Sequence, residues 1–289
     1  MDLSNEKSRP LRGSGQWGPP RKAKVFVYED RKRFHTKISF GVVLTRVNEK
    51  TNRVEAALVK MRYSYAFADF VHGHYSSHNI THVRSLFDRM TLEEKIDILS
   101  LDFELMWYRI WLTDKKLDLF NKKLAKFQNT WLREDSGEYL KNLVRESRSA
   151  PAAGPRWTLP KGRKQSYREP DINCAVRELK EETGATLRHY RLLPNFKRKQ
   201  SHMDMGIRYV NIYYAALVEH DNINLHVDLK NKDQIGEVAE VKWMDVEWVR
   251  LVDTKDRRLE RTLTPVFKYI KRVVKGISSL PKTVSYDHK

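Results

Sequence analysis

The sequence predicts a mixed α/β domain of the α+β type that is interrupted by a helical insertion. Two strand-like runs, ISFGVVL and VEAALVKM, come early and are joined by the polar turn NEKTN. Three more, IRYVNIYYAALV, INLHVDL and VAEVKWM, come late, at 207–218, 223–229 and 238–244. Between the two sets of strands, from Thr91 onward, the spacing of apolar residues predicts helices. Strands from both parts of the chain are therefore expected in one domain, with helices inserted between them.

The domain boundaries follow from changes in composition. Residues 1–23 are rich in Gly, Pro, Ser and basic residues, which is typical of a flexible arm. We assign residues 24–75 and 151–289 to the α/β domain and residues 76–150 to the helical insertion. The stretch ESRSAPAAGPR, at the end of the insertion, has the composition of a linker.

The insertion contains two amphipathic helical patterns. The first begins at Thr91, which fits a capping box with Glu94, and its apolar residues recur at helical spacing: Leu92, Ile96, Leu99, Phe103 and Met106. The second has an apolar face formed by Leu117, Phe120, Leu124, Phe127 and Trp131, opposite a lysine-rich face. A last amphipathic helix is predicted near 257–275.

The charge of the chain indicates a polyanionic partner. Its 55 Lys and Arg outnumber its 37 Asp and Glu, which gives a formal net charge of +18. Such an excess favours nucleic acid first and an anionic membrane surface second. The lysine face of the second helix is predicted to bind an RNA backbone, although an ordinary solvated surface remains the alternative: Lys115, Lys116, Lys122, Lys123 and Lys126.

Cysteine content and hydropathy indicate a soluble intracellular protein. Cys174 is the only cysteine, so no intramolecular disulfide can form and a reducing compartment is expected. The first residues, MDLSNEKSRP, lack the apolar region of a secretory signal. No run approaches the roughly 18 apolar residues that a membrane span needs.

An acidic turn, RELKEETG at 177–184, carries the main chemical signal. On a helix that starts near Pro170 and ends at Gly184, its three glutamates stand at i, i+3 and i+4 and share one face: Glu178, Glu181 and Glu182. Like charges at this spacing repel, and a hard dication with oxygen ligands, Mg²⁺ or Mn²⁺, would neutralise them and bridge to phosphate. The alternative is an exposed turn whose acids pair with Arg177 and Lys180.

The context of this turn resembles the Nudix box, G-x5-E-x7-REU-x-EE-x-GU, where U is aliphatic. Here Gly162 is followed by six residues, Glu169, seven residues and RELKEETGA. The departures are one extra residue before Glu169 and the small Ala185 at the last aliphatic position. The resemblance implies the Nudix α/β/α sandwich with a mixed sheet.

The resemblance also implies roles for individual residues. Glu178, Glu181 and Glu182 match the metal-ligand glutamates, Gly162 matches the loop glycine whose carbonyl completes the metal shell, and Arg177 matches the arginine that holds helix and loop together. Glu169 is expected to be structural. Either one glutamate of the cluster or a glutamate from a distant loop would accept the proton of the attacking water. The candidates from a distant loop are Glu237 and Glu240, with solvent-facing strand ends as the alternative.

Within the family, the chain resembles the mRNA-decapping enzymes of large DNA viruses of the poxvirus, asfarvirus and giant-virus type. The motif WTLPKG resembles the loop of mRNA-decapping, diphosphoinositol-polyphosphate and dinucleoside-polyphosphate members. The stretch LVKMRYSYAFADFVHGHY and the helical insertion resemble the viral decapping enzymes. The resemblance implies capped mRNA as substrate, 7-methylguanosine diphosphate and 5′-monophosphate RNA as products, and host shutoff in the host cytoplasm or packaging in the virion. Two alternatives stay open: a hydrolase of diphosphoinositol or dinucleoside polyphosphates, and a catalytically silent RNA-binding module.

Cap recognition requires aromatic rings, because 7-methylguanine is cationic and stacks on π-faces. Phe67, followed by Tyr65 and Tyr63, is the predicted stacking residue, and a place in the core is the alternative. Four histidines raise a zinc site as a lesser possibility beside a polar interdomain loop: His72, His74, His78 and His82.

Overall fold

A mixed β-sheet forms the centre of the fold. The structure of the chain, a computed structural model, describes residues 35–112, 117–150, 153–204, 206–219, 223, 225–253 and 257–276. Within these ranges the sheet has seven strands: β1 (Thr36–Asn48), β2 (Arg53–Met61), β3 (Trp157–Thr158), β4 (Lys161–Gly162), β5 (Tyr190–Asp204), β6 (Ile207–Val218) and β7 (Val238–Met244). The predicted arm at 1–23 lies outside the described residues.

The strand order confirms that early and late strands share one sheet. The order is β3-β2-β1-β6-β5, with β4 paired to β1 and β7 paired to β2. The early strand β1 runs parallel to the late strand β6, whereas the other pairs are antiparallel. A parallel pair needs a long crossover connection, and here the crossover contains all the intervening helices.

Helices cover both faces of the sheet, which confirms the predicted α/β/α sandwich. One face buries Val42, Leu44 and Tyr214 against the apolar side of α7 (Asp171–Thr183). The other buries Val43 and Tyr213 against α9 (Val246–Val252) and α10 (Arg258–Val274). Residues adjacent in a strand face opposite sides, so β1 and β6 supply both cores with alternating side chains.

Among the described residues, six α-helices lie between β2 and β3 and enclose a third apolar core. They are α1 (Tyr65–Val71), α2 (Ile80–Asp88), α3 (Leu92–Leu99), α4 (Phe103–Trp111), α5 (Leu117–Phe127) and α6 (Glu138–Glu146), with a π-helical turn at Gln128–Leu132. The helical part starts at Tyr65, earlier than the predicted residue 76, and Phe70 of α1 lies inside its core. None of the described helices combines the length and apolar character that crossing a bilayer requires. The domain boundaries stay a prediction.

The first predicted helix of the insertion is divided in two. Leu101 adopts a left-handed conformation, with φ of 60°, and separates α3 from α4. The capping box of Thr91 and Glu94 is present, but Leu92 and Ile96, predicted to face the core, are exposed. The buried residues of α3 are instead Glu94, Lys95, Asp97 and Ile98. The Glu94 carboxylate accepts hydrogen bonds from the backbone N–H and hydroxyl of Ser64, which explains its burial.

Two late segments differ from their predicted structures. The segment INLHVDL was predicted to be a strand, but the described residues 223 and 225–229 form none. Two of its backbone groups bond to a side chain instead, since the Asp228 N–H donates to Gln234 and the His226 carbonyl accepts from it. The edge strand β5 was not predicted; its pairing with β6 shifts register between Leu193 and Lys197, which breaks the alternation of a regular strand.

Candidate active site

Helix α7 brings the acidic turn to the edge of the sheet. The helix starts after Pro170, one residue later than predicted, and ends at Gly184, whose φ of 73° is the left-handed conformation that favours glycine. Cys174, Ala175 and Leu179 form its buried apolar side. This packing fixes the rotation of α7, so the three glutamates of the acidic turn stand beside the loop that follows β4.

Arg177 is the hub of the acidic turn. Its guanidinium lies 2.7 Å from an oxygen of Glu178, 2.8 Å from one of Glu181 and 2.9 Å from one of Glu169. It also donates to the Arg163 carbonyl at 2.9 Å. The role implied for Arg177, holding helix and loop together, is consistent with these contacts. The same contacts also agree with the alternative interpretation of the sequence, in which the acids of the turn pair with Arg177.

Gly162 faces the carboxylate of Glu178 at a distance that leaves no room for a side chain. A Cβ atom on Gly162 would lie 2.1 Å from the Glu178 carboxyl carbon. Only glycine allows the β4 backbone to approach the carboxylate this closely. The loop carbonyls and the glutamates of α7 are thereby brought into one small volume.

Glu182 is the buried member of the trio. Its side chain is 7% exposed, and its Oε2 atom has no hydrogen-bond partner among the described residues. Burial raises the pKa of the Glu182 carboxyl well above its ordinary value, and the charges of Glu237 and Glu178 add to the rise. The Lys161 ammonium and backbone N–H oppose it. A buried carboxylate oxygen without a partner is costly, which indicates that an external group completes its environment.

Lys161 places a positive charge next to this carboxylate. Tyr65, Tyr213 and Glu182 together raise the pKa of the Lys161 ammonium above its ordinary value. Its Nζ atom lies 6.0 Å from the centre of the Tyr65 ring. The charge of Lys161 opposes the rise in the pKa of the Glu182 carboxyl that burial causes.

The chemistry of the donor set fits a hard dication. Carboxylate oxygens and a loop carbonyl are the ligands that Mg²⁺ and Mn²⁺ prefer, and Glu182 offers an oxygen that no described residue binds. In this conformation, however, no group of three or more His, Cys, Asp or Glu side chains among the described residues is arranged as a metal site. Glu178 and Glu181 are turned toward Arg177 instead. The ligand set of Gly162, Glu178, Glu181 and Glu182 stays a prediction.

The two candidate proton acceptors occupy different environments. Glu237 ends the short helix α8 (Lys232–Glu237), and its charge acts on Glu182. Glu240 lies on β7 and forms an ion pair with Lys242. Of the two, Glu237 is the one whose charge contributes to the raised pKa of Glu182.

The prediction that Phe67 stacks on the cap base is wrong. Its ring is 0% exposed and lies in the core of the helical part, so it offers no face to a ligand. Tyr63 is partly buried against the same core. Tyr65 is 49% exposed and lies next to Lys161, so its ring remains accessible.

The lysine face of α5 is divided between the surface and the interior. Lys126 donates to the carbonyl oxygens of Gly73 at 2.6 Å and Tyr75 at 2.8 Å. Its assignment to RNA binding stays a prediction, and two of the three donors of its ammonium are already used within the protein. Lys122 is exposed and Lys123 partly exposed, whereas the predicted Lys115 and Lys116 lie outside the described residues.

The four histidines lie in and near α1 and α2. His74 contacts Asp69 at 3.0 Å, and the His72 ring lies 5.4 Å from the ring of Trp111. His78 is exposed, and the backbone N–H of His82 is capped by Asn79. The described side chains that could bind a metal do not group around any of them.

An aromatic surface that was not predicted lies at the β5–β6 hairpin. His202 pairs with Tyr209 across the two strands, and their rings stack at 5.1 Å with an angle of 11°. Burial raises the pKa of Tyr209, with contributions from the charges of Asp69 and Asp204. The sequence HMDMGIRY carries a turn glycine between these residues, which could have indicated the hairpin.

This surface is connected to the acidic turn through Arg163. The charge of Arg163 acts on Tyr209, and the Arg163 carbonyl is bound by Arg177. Tyr209 pairs with Lys37 on β1, three residues from Phe40, which pairs with Gly162. Three residues of a strand span about 10 Å, a distance that a nucleotide can bridge.

Comparison with known proteins is consistent with this geometry. Residues 129–267 match the family model of the NUDIX domain. The mRNA-decapping protein g5R of African swine fever virus, isolate Warthog/Namibia/Wart80/1980, is 36% identical over 245 residues, which are 83% of this chain and 98% of that protein. The g5R protein of isolate Pig/Kenya/KEN-50/1950 matches with the same identity and coverage.

Among solved structures, an Ap4A hydrolase binary complex from C. elegans aligns with 83% of this chain and 98% of its own, at 12% identity and a TM-score of 0.40. That score carries no argument about substrate. The domain match and the extended sequence identity are sufficient to assign the family. The chain belongs to the Nudix family of hydrolases.

Proposed function

We propose that this protein hydrolyses the 5′ cap of mRNA and releases 7-methylguanosine diphosphate and 5′-monophosphate RNA. The observation that carries the proposal is the 36% identity, over nearly the full length of the relative, to proteins named for mRNA decapping. The net charge of +18 supports it, because a long RNA is a polyanion. In this reaction the anhydride bond between the α- and β-phosphates of the cap breaks, and water oxygen forms a new bond to phosphorus.

The residues of the acidic turn have distinct tasks in this proposal. Glu178, Glu181 and Glu182, with the Gly162 carbonyl, would hold Mg²⁺ or Mn²⁺. A bound dication supplies Lewis-acid polarisation of the phosphoryl group and offsets the charge that develops in the transition state. Arg177 holds the β4 loop against α7 through Glu169 and the Arg163 carbonyl.

Two further residues act on the substrate. Lys161, beside Glu182, can donate to a phosphate oxygen of the cap. Glu237, whose charge reaches Glu182, accepts the proton of the attacking water. Both residues lie on segments outside α7, Lys161 on β4 and Glu237 on α8.

Recognition of the cap base is assigned to the aromatic surface of Tyr209 and His202, together with the exposed ring of Tyr65. The charges of Asp69 and Asp204 act on Tyr209 and are opposed by those of Arg163 and Arg89. The feature that suits a planar base is the pair of stacked rings, on which a base can stack. Capped mRNA is therefore favoured over diphosphoinositol polyphosphates, whose saturated inositol ring has no π-face to stack.

Replacing Tyr209 with leucine is expected to raise KM for capped RNA with a smaller effect on kcat. Stacking of a base on an aromatic ring contributes about 1–3 kcal/mol. Steady-state kinetics with capped RNA measure the change, and Tyr139→Leu, an exposed tyrosine on α6, is the matched control. An unchanged KM for Tyr209→Leu would exclude this surface as the base site.

Replacing Lys122 and Lys123 together with alanine is expected to weaken RNA binding without lowering the melting temperature. Loss of two phosphate contacts lowers the slope of log K against log salt by about 1.4 for single-stranded RNA. Lys126→Met is the contrasting variant; it should reduce stability, because two carbonyl oxygens lose their shared donor. If both variants weaken RNA binding equally and neither loses stability, Lys126 has the same role as the exposed Lys122 and Lys123, which would contradict this prediction.

The substrate class is tested by competition. The wild-type protein, with Mg²⁺ or Mn²⁺, is given capped RNA, a diphosphoinositol polyphosphate and a dinucleoside polyphosphate in separate reactions, each with and without uncapped RNA. A decapping enzyme should turn over capped RNA fastest and be inhibited by uncapped RNA, because both bind the same basic surface. Faster turnover of either small substrate, without inhibition by RNA, would overturn the proposal.

A further inference from the structure

One buried side chain of helix α8, that of Gln234, connects the acidic turn with the loop at 226–228, which precedes α8. Gln234 is 5% exposed, and its amide nitrogen donates to the backbone carbonyl of Glu182 at 3.1 Å and to that of His226 at 3.4 Å. Its amide oxygen accepts from the backbone N–H of Asp228 at 2.8 Å. One side chain therefore ties α8 both to the end of α7 and to the loop at 226–228.

The opposite side of α8 is held by the helical part. A Cβ atom on Gly236 would lie 3.2 Å from the Ile110 carbonyl of α4, so the two backbones are in close contact. The carbonyl of Glu237 also accepts a hydrogen bond from the Arg62 N–H, just after β2, at 2.8 Å. Contacts on both sides leave α8 little freedom to rotate or shift.

The position of Glu237 follows from this arrangement. Gln234 and Glu237 stand at positions i and i+3, so on a helix they lie on the same side. Gln234 binds the backbone of Glu182, and the charge of Glu237 acts on the carboxyl group of the same residue. Gln234 and Glu237 therefore both act on Glu182, the first through a hydrogen bond to its backbone and the second through its charge.

We propose that Gln234 is a positioning residue that holds Glu237, the proton acceptor, in register with Glu182. The inference rests on the proposed hydrolysis, since Glu237 has its role only in that reaction. Gln234 does not touch the substrate; it acts through α8. Its amide has both a donor and an acceptor in use, so no apolar side chain of similar size can replace it.

Replacing Gln234 with methionine keeps the volume and removes all three hydrogen bonds. We expect kcat for capped RNA to fall about 10–100-fold, as is usual when a reacting group is displaced by about 1 Å. KM should change less than about threefold, because in this proposal α8 does not contact the bound substrate in its ground state. The matched control is Gln200→Met on β5, since Gln200 also donates to a backbone carbonyl, that of Arg258, and should keep wild-type kinetics.

A double-mutant cycle with Glu237→Gln separates positioning from a structural role. If Gln234 acts through Glu237, the double variant should have the kcat of Glu237→Gln alone, because the misplaced group is already inactive. Additive losses in kcat, or an unchanged kcat in Gln234→Met at an unchanged melting temperature, would overturn the inference. Should Gln234→Met fail to fold, Gly236→Ala, which presses α8 away from Ile110, enters the same cycle with the same expected non-additivity.

The two proposals fail in different ways. Wild-type protein that does not hydrolyse capped RNA but hydrolyses another pyrophosphate refutes the substrate, and the cycle is then run on that substrate with the same criterion. Wild-type protein that hydrolyses capped RNA together with an additive cycle refutes the role of Gln234 alone. Wild-type protein without any hydrolysis refutes both.

Discussion

Replacing Glu182 with glutamine is expected to abolish hydrolysis of capped RNA and to leave the fold intact. Loss of groups that merely orient a metal ligand costs about 10–100-fold in activity, so loss of a ligand should cost on the order of 1000-fold or more. Glutamine is nearly isosteric, and it removes a carboxylate whose pKa burial raises. The melting temperature should therefore be equal to or above that of the wild type, since the buried charge is destabilising.

The measurements are single-turnover kinetics, thermal unfolding and RNA binding on the same preparation. Glu55→Gln is the matched control, because the Glu55 side chain is 14% exposed and paired with Arg46 outside the acidic turn. Glu181→Gln should also lose turnover. Normal rates for Glu182→Gln would exclude the assigned site, whereas loss of turnover with loss of stability would indicate a structural role.

Replacing Gly162 with alanine has the second largest expected effect. The added Cβ would lie 2.1 Å from the Glu178 carboxyl carbon, so either the loop or the carboxylate must move. A forced shift of this kind costs about 1–3 kcal/mol of stability. A displacement of about 1 Å at a reacting centre lowers kcat about 100-fold.

Thermal unfolding and kcat for Gly162→Ala test this prediction. Gly206→Ala is the comparison, because Gly206 has φ of 76° and no atom within 4 Å of a Cβ built on it. That variant should lose some stability through backbone strain and keep full activity. If Gly162→Ala retains wild-type kcat, the close approach of β4 to Glu178 has no part in catalysis.

The parts of the fold that were predicted are those with strong local patterns. Helix α7 has a proline before it and a glycine in the left-handed conformation after it, and both are visible in the sequence. The strands β1 and β6 are long and apolar, because helices cover both their faces. Such elements depend on residues close in sequence, so periodicity identifies them.

The parts that were missed depend on contacts distant in sequence. The sequence predicts only a capping role for Glu94. Its carboxylate also accepts hydrogen bonds from Ser64, 30 residues earlier, and α3 therefore buries its polar side. The sequence around Phe67 is compatible with both a core residue and a ligand-stacking residue. Only the packing of the helical part shows that its ring is buried. Lys126 belongs to a lysine-rich face, but carbonyls at Gly73 and Tyr75 bind it. No local pattern contains these partners.

The candidate site shows the same division. The order of residues in RELKEETG places three glutamates on one helix, and the structure has them there. The contribution of Gln234 and of the Tyr209 surface arises from segments that meet only in the folded chain. Spacing within one segment cannot reveal either.

The most direct test of the proposed reaction is product identification from RNA labelled in its cap phosphates. The wild-type protein is incubated with this RNA and Mg²⁺ or Mn²⁺, and the released nucleotide is identified. We expect 7-methylguanosine diphosphate, with 5′-monophosphate RNA as the second product and no release by Glu182→Gln. Release of 7-methylguanosine monophosphate, or no release from the wild type under either metal, would contradict the account.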